Sequence, residues 1–297
     1  MSTPINHHYV SECHLKEFFN EETNHIYLFD KKLLNYYNRP GTKRIFSEDN
    51  LNTRLLNNRL DNLSLEVELR VLFEDDFAKH LAAVKKFYED HSSIENAYEH
   101  LNYLAIMALV GEYRNPHYKH GIDEALNAMK NHVKNIGVEI PEEQTHQDVK
   151  YQNAKGYIDV ARLLLTKMDP LTFALVAIKS NDHFILPDTS AFLVREHLNV
   201  SSVIQFGLPV SDKLFILGRS SSMGKYPTTL VETKNDDDEL VFKINSDLVN
   251  YAYKTVACHN EVFLKKTITK MQQVRHIGQY FHGSTIGSIE KNKPSKQ

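Results

Sequence analysis

Short alternating apolar and polar runs open the chain, and after about Thr53 the apolar positions recur three and four residues apart. Within the first region, "NHIYLFDKKLLNYY" carries two β-rich runs on either side of Asp30-Lys31-Lys32, the pattern of a hairpin. "TKRIF" predicts a further strand before the polar segment "SEDNLNT". Residues 65–73, "LEVELRVLF", fit a half-buried strand as well as a helix. The longer register decides between them: Leu65, Leu69, Phe73, Phe77, Leu81, Val84 and Tyr88 keep helical spacing, so one helix is expected over about 64–90, with Ser64 as its N-cap.

A second helix is expected from the capping box Ser92-Ser93-Ile94-Glu95, in which hydroxyl and carboxylate satisfy each other's backbone donors, up to Asn115-Pro116. A third is expected from about Gly121 to Asn135, closed by Gly137, and a fourth from Val149 to Met168. Beyond Pro170 the periodicity shortens. "LTFALVAI", "HFILP", "AFLVR", "SVIQFGLPV", "KLFILGR" and "LVFKIN" are strand-length runs. Ser246 is expected to cap a helix containing "DLVNYAYKTVA", and a last helix follows at about 264–280.

This order predicts an α+β fold: an N-terminal β-hairpin region, a central bundle of about four helices, then a mostly antiparallel sheet with terminal helices. One domain is expected over 1–285, with a polar basic tail at 286–297.

Composition narrows the class. The chain has 297 residues, 41% hydrophobic and 25% charged, enough apolar surface for a sizeable core. The apolar runs are far too short to span a bilayer, and the N-terminus lacks the flanks of a signal peptide, so a cytoplasmic protein without a membrane partner is expected. Cys13 and Cys258 suggest no disulfide framework. The net charge of −3 is uneven: from Glu261 onward the chain carries +5. That basic end is a candidate contact for nucleic acid, against the plainer reading of a solvated helix face and tail.

The chemical motifs are sparse. Phosphate-binding, dinucleotide-binding, zinc-protease and serine-hydrolase signatures are missing, and no cofactor is expected. His7, His8, Cys13 and His14 lack the second ligand pair of a zinc site, and His117 and His120 fall in an expected helix-to-helix loop, so no metal is expected at either. Glu232-Thr233-Lys234 with Asp188 resembles the acidic core of PD-(D/E)-x-K nucleases, where carboxylates hold Mg²⁺ and Lys supports the developing charge. Asp236-Asp237-Asp238-Glu239 reads as a hairpin tip.

Several segments, in order, resemble a widespread, mostly bacterial family, domain-of-unknown-function family 4238. They are His8-Tyr9-Val10 with "ECHLKEFF", "NHIYLFDKK", "ALVGEYRNP", "HFILPDTSAFLV", "FGLPVSDKLFIL" and "LVNYAYKTVA". Ser11 stands where the family has Pro, Leu186-Pro187 replaces small polar residues, and Ser190 replaces a second Pro. The resemblance implies four site positions: His8 and Asp188 as candidate catalytic groups, Arg114 and Asn250 as candidate binding groups. It implies no activity. Two functions are therefore expected in parallel. One is a hydrolase, nuclease-like and of a kind suspected in phage defence, with Asp188 as acid or metal ligand and His8 as base. The other is a non-enzymatic binding or regulatory protein whose polar cluster is structural. In either case His8, Asp188 and Asn250 are expected within hydrogen-bonding range, directly or through a water, with Arg114 paired to Asp188.

Overall fold

The computed structural model describes residues 5–56, 59–90, 94–135, 159–195, 203–221 and 228–274. A central five-stranded sheet organises them. Its strands are β7 (Leu171–Ile178), β9 (Phe192–Arg195), β10 (Val203–Pro209), β11 (Leu214–Ser220) and β12 (Thr229–Thr233), in the order β12-β7-β11-β10-β9. All pairs are antiparallel except β12 with β7. Both faces of β7 are covered, which is why its sequence is a nearly unbroken apolar run. Leu171, Phe173, Leu175 and Ala177 point to one core cluster, and Ala174, Val176 and Ile178 to the other. Phe206 lies over Gly218 across the β10–β11 pair, where a Cβ would meet the ring at 2.2 Å.

The first face carries the helices α2 (Ser64–Leu69), α3 (Phe77–Asp90), α4 (Ile94–Arg114) and α5 (Pro116–Asn135), and the helical stretch 159–168, α6. Leu65, Leu69, Phe73, Leu101, Leu104, Ala161 and Met168 pack there against the sheet. The second face carries α1 (Glu12–Lys16), α7 (Glu239–Tyr251) and a four-stranded sheet of β2 (Ile26–Asp30), β3 (Asn35–Arg39), β8 (Ile185–Pro187) and β13 (Thr255–Cys258). The order β3-β2-β13-β8 inserts a late strand between an early hairpin and a mid-chain strand. α8 (Glu261–Gln273) closes the outer face of this sheet through Leu264, Ile268 and Met271. Two small ladders, β1 (Asn6–His8) with β4 (Ser47–Asp49) and β5 (Arg54–Leu56) with β6 (Arg59–Asp61), complete the N-terminal region. The α+β class and the expected hairpin across Asp30-Lys31-Lys32 are both present.

Several expectations are corrected. "TKRIF" forms a turn, with Arg44 and Phe46 at φ 59° and 50°, and the strand begins at Ser47. The long helix from Ser64 is interrupted by a π-turn at Arg70–Glu74, where the Asp75 N–H reaches back to the Arg70 carbonyl at 2.9 Å. The third helix starts at Pro116 rather than Gly121, so His117 and His120 lie in its first turns, not in a loop. "LVFKIN" is helical: Asp238 caps α7 by accepting the Leu240 N–H at 2.8 Å, and Leu240, Val241, Ile244 and Leu248 form its buried stripe. The acidic run is therefore a turn and cap leading from β12 into α7 rather than a hairpin tip, and "YKTVA" divides into a turn and β13. Ser92 and Ser93 of the capping box, the segment 149–158 of the fourth helix and the tail 286–297 lie outside the described residues.

Candidate functional site

The site grows from the tripeptide Arg114-Asn115-Pro116, where α4 passes directly into α5. Pro116 occupies the first helical position, where its missing N–H costs nothing. Asn115 caps the new helix, its Oδ1 accepting the His117 N–H at 2.9 Å, and its Nδ2 donates to the Asp188 carbonyl at 2.8 Å. Arg114 is buried, its Nη2 donating to the His8 carbonyl at 2.7 Å and its Nη1 lying 3.3 Å from Glu74 Oε1. The π-turn aims Glu74 at that guanidinium. One turn earlier, Gly111 lets the Thr189-Ser190 turn approach α4. A Cβ there would stand 2.6 Å from the Ser190 Cβ and 2.8 Å from the Thr189 carbonyl oxygen.

Asp188, 2% exposed, spends its carboxylate on main chain. Oδ1 accepts the Tyr253 N–H at 2.8 Å, and Oδ2 accepts those of Lys254 and Thr255 at 2.8 and 2.9 Å. It thereby fixes the bend from the end of α7 into β13. Burial pushes the Asp188 carboxyl above its ordinary range, the three N–H donors and then Lys31 countering part of the rise.

Beside this junction lies a cleft of about 720 Å³, lined by Lys31, Glu112, His117, Tyr118, Asn250 and Tyr253 among others. Lys31 Nζ donates to the carbonyls of Asn250, at 3.0 Å, and Ala252, the C-terminal end of α7. Burial lowers the Lys31 ammonium from its usual value, with Asp188 pulling the other way. Glu112 accepts from the Tyr251 hydroxyl at 2.9 Å and from the Arg195 guanidinium. Burial works against the Arg195 charge, but Glu112 and Tyr251 together outweigh it and hold the group above its ordinary value. The His117 ring stacks on Tyr253 with centroids 3.8 Å apart, and Lys32 Nζ sits 3.8 Å over the Tyr253 ring.

The four positions named from sequence thus surround one junction without direct hydrogen bonds between their side chains. Arg114 meets His8 through its main chain and pairs with Glu74, not with Asp188. The His8 imidazole has a buried Nε2 without a hydrogen-bond partner and faces Glu12 and Thr42. Burial holds it below its usual range. The Asp188 carboxylate reaches neither His8 nor Asn250 directly, because its bonds go to the main chain of residues 253–255. Asn250 lines the cleft.

The nuclease-like trio does not converge. Glu232, on β12, takes a hydrogen bond from the Tyr88 hydroxyl and lies 3.2 Å from Lys234, sharing no neighbour with Asp188. Among the described residues, no group of three or more His, Cys, Asp or Glu side chains is placed to hold a metal. The N-terminal histidines serve separate contacts: His7 bridges the Asn52 N–H and the Asn62 carbonyl, and His14 bonds the Pro209 carbonyl at 2.6 Å. Cys13 and Cys258 are free thiols.

The model of the family described as Protein of unknown function (DUF4238) matches residues 6–261. The chain belongs to this family. Neither a curated protein nor a solved structure matches it. In this DUF4238 member the sequence resemblance located the junction but, of the cleft lining, only Asn250. Lys31, Glu112, Asn115, Tyr251 and Tyr253 lie within the resembling segments without being singled out there, Tyr118 lies outside them, and the sequence presents Asn115-Pro116 only as a helix stop. An Asn followed by Pro is also the start signal of the next helix, and that reading would have found Asn115.

Proposed function

We propose that the chain is a binding protein whose working surface is the cleft at the α4–α5 junction, with the Asp188 cluster beside it serving as architecture. The observation that carries this reading is the contrast between the two sites. Asp188 is sealed and saturated by main-chain donors, whereas the neighbouring cleft is open and has about 720 Å³ of volume. Small-molecule pockets span roughly 300–1,000 Å³ and combine apolar walls with a few convergent polar groups. Here the rings of His117, Tyr118 and Tyr253 supply flat walls, while Lys31, Glu112 and Asn250 supply polarity. A small polar molecule with a planar ring suits that lining. The test is calorimetric titration with a panel of nucleosides, nucleotides and ring-bearing amino acids, repeated on His117→Ala/Tyr118→Ala. Saturable binding lost in the double variant supports the reading; binding unchanged by both substitutions sinks it.

Hydrolysis, including a nuclease-like reaction, is the second reading. It is favoured by His117, Glu112 and Lys31 lining one cleft, since imidazole, carboxylate and ammonium can move protons and hold an anion. It draws its groups from the cleft rather than from His8 and Asp188. Turnover of a nucleic-acid or ester substrate that survives Glu232→Gln but not His117→Ala would establish it. The basic end contributes little to this reading in its described part, where Lys265 pairs with Glu261, Lys266 with Asp237, and Lys270 covers Phe242.

A further inference from the structure

The β2–β3 turn presents two leucines that the fold does not use. Leu33 and Leu34 are 72% and 64% exposed at the tip of the hairpin. The turn that holds them is tightly built. Asp30 Oδ1 accepts the Lys32 and Leu33 N–H groups, each at 2.9 Å, and Lys31 ties the turn to the end of α7. Leu34 is itself held at φ 52°. These side chains are displayed by a fixed scaffold.

A basic collar surrounds them. Lys32 lies over Tyr253, which is 40% exposed. Lys254 projects into solvent 3.7 Å from the buried Asp30, and Lys265 reaches toward Tyr36 on the second strand of the hairpin. Asp30, Glu261 and the buried Asp188 beside Lys31 only partly offset Lys31, Lys32, Lys254 and Lys265.

We propose that this tip docks the protein on an anionic lipid bilayer. The shape argues for a penetrable partner: a convex apolar point inserts into a bilayer as it stands, whereas a protein would need a matching pocket. The charge argues for an anionic one, because each lysine near a negatively charged leaflet adds attraction within a Debye length. The collar also suits the depth of insertion, with lysine stems reaching up to the headgroups and a tyrosine at the interfacial level. Among the described residues no helix is long and apolar enough to cross a membrane, so the contact is peripheral. Two leucines and a few lysines make a weak, reversible anchor. Because Lys31 and Tyr253 also line the cleft, docking turns its mouth toward the headgroups.

The test uses the full chain in flotation with vesicles of phosphatidylcholine alone and of phosphatidylcholine mixed with phosphatidylglycerol. Association with the mixed vesicles only, weakened by salt, is expected. Leu33→Ser/Leu34→Ser and Lys32→Glu should each lower the partition coefficient by about tenfold or more. The chain contains no Trp, so Leu34→Trp provides a single reporter whose emission should shift to the blue on mixed vesicles. No association with mixed vesicles, equal association with both, or an unchanged partition coefficient in the double serine variant overturns the proposal. A dimer in light scattering that the double serine variant dissolves would reassign the tip to self-association and overturn it equally.

Discussion

A carboxylate that accepts three main-chain N–H groups cannot be replaced by its amide without loss. At Asp188 the Asn side chain has one accepting oxygen, and its NH₂ would face donors from Tyr253 or from Lys254 and Thr255. Asp188→Asn is expected to cost about 3 kcal/mol in urea unfolding at neutral pH, because buried donors are left unpaired. His14 provides a pH-dependent counterpart. It is fully buried against Phe18 and Phe77, and burial pushes its imidazole down to about 4, the Pro209 carbonyl only partly opposing. With the folded value below the unfolded value of about 6.5, the unfolded chain binds the extra proton. Stability from this group is complete above pH 6.5 and is lost as pH falls toward 4, by about 3 kcal/mol. Comparing unfolding free energies of wild type and His14→Gln across that window isolates the contribution, since Gln can still donate to Pro209 but does not titrate. A curve for the variant parallel to wild type would refute it. The sequence marked both residues as polar candidates but not their partners, because main-chain donors and carbonyls have no signature in side-chain order.

At the level of elements, α4 and the turn after β8 meet through a glycine. Helical propensity alone would make Gly111→Ala stabilising by about 1 kcal/mol. The added Cβ, however, would lie 2.8 Å from the Thr189 carbonyl oxygen and 2.6 Å from Ser190, whose φ of 64° already limits adjustment. Overpacking should win, with a net loss of about 1–3 kcal/mol and a lower Tm in calorimetry; a higher Tm would show that the turn moves freely. Periodicity found the elements best where one face is buried over many turns, as in α4, or where both faces of a strand are buried, as in β7. It failed at α7, where a six-residue window of β-rich residues concealed a stripe continuing to Leu248. It failed again at α5, where the Pro that reads as an end is a beginning. In both cases the decisive cue was the cap, Asp238 or Asn115, rather than the apolar pattern.

For the whole molecule, the placing of β13 between β2 and β8 ties together segments from the beginning, middle and end of the described chain. The five-stranded sheet shares a core cluster with β2, β8, β13 and α7, so loss of one sheet uncovers the other. Thermal unfolding is therefore expected as one transition with equal calorimetric and van't Hoff enthalpies; two resolved transitions would contradict it. The early hairpin joins the later chain through β13, a strand concealed within a run that reads as helix. Sequence order contains no information on which distant strands become neighbours. That arrangement also bears on synthesis. The hairpin of residues 26–39 leaves the ribosome early with one edge of β2 unpaired, and its partner, residues 255–258, is among the last described segments to be made. Until then the nascent chain carries an open strand edge in an apolar neighbourhood, a target for chaperones and a site of aggregation when translation stalls.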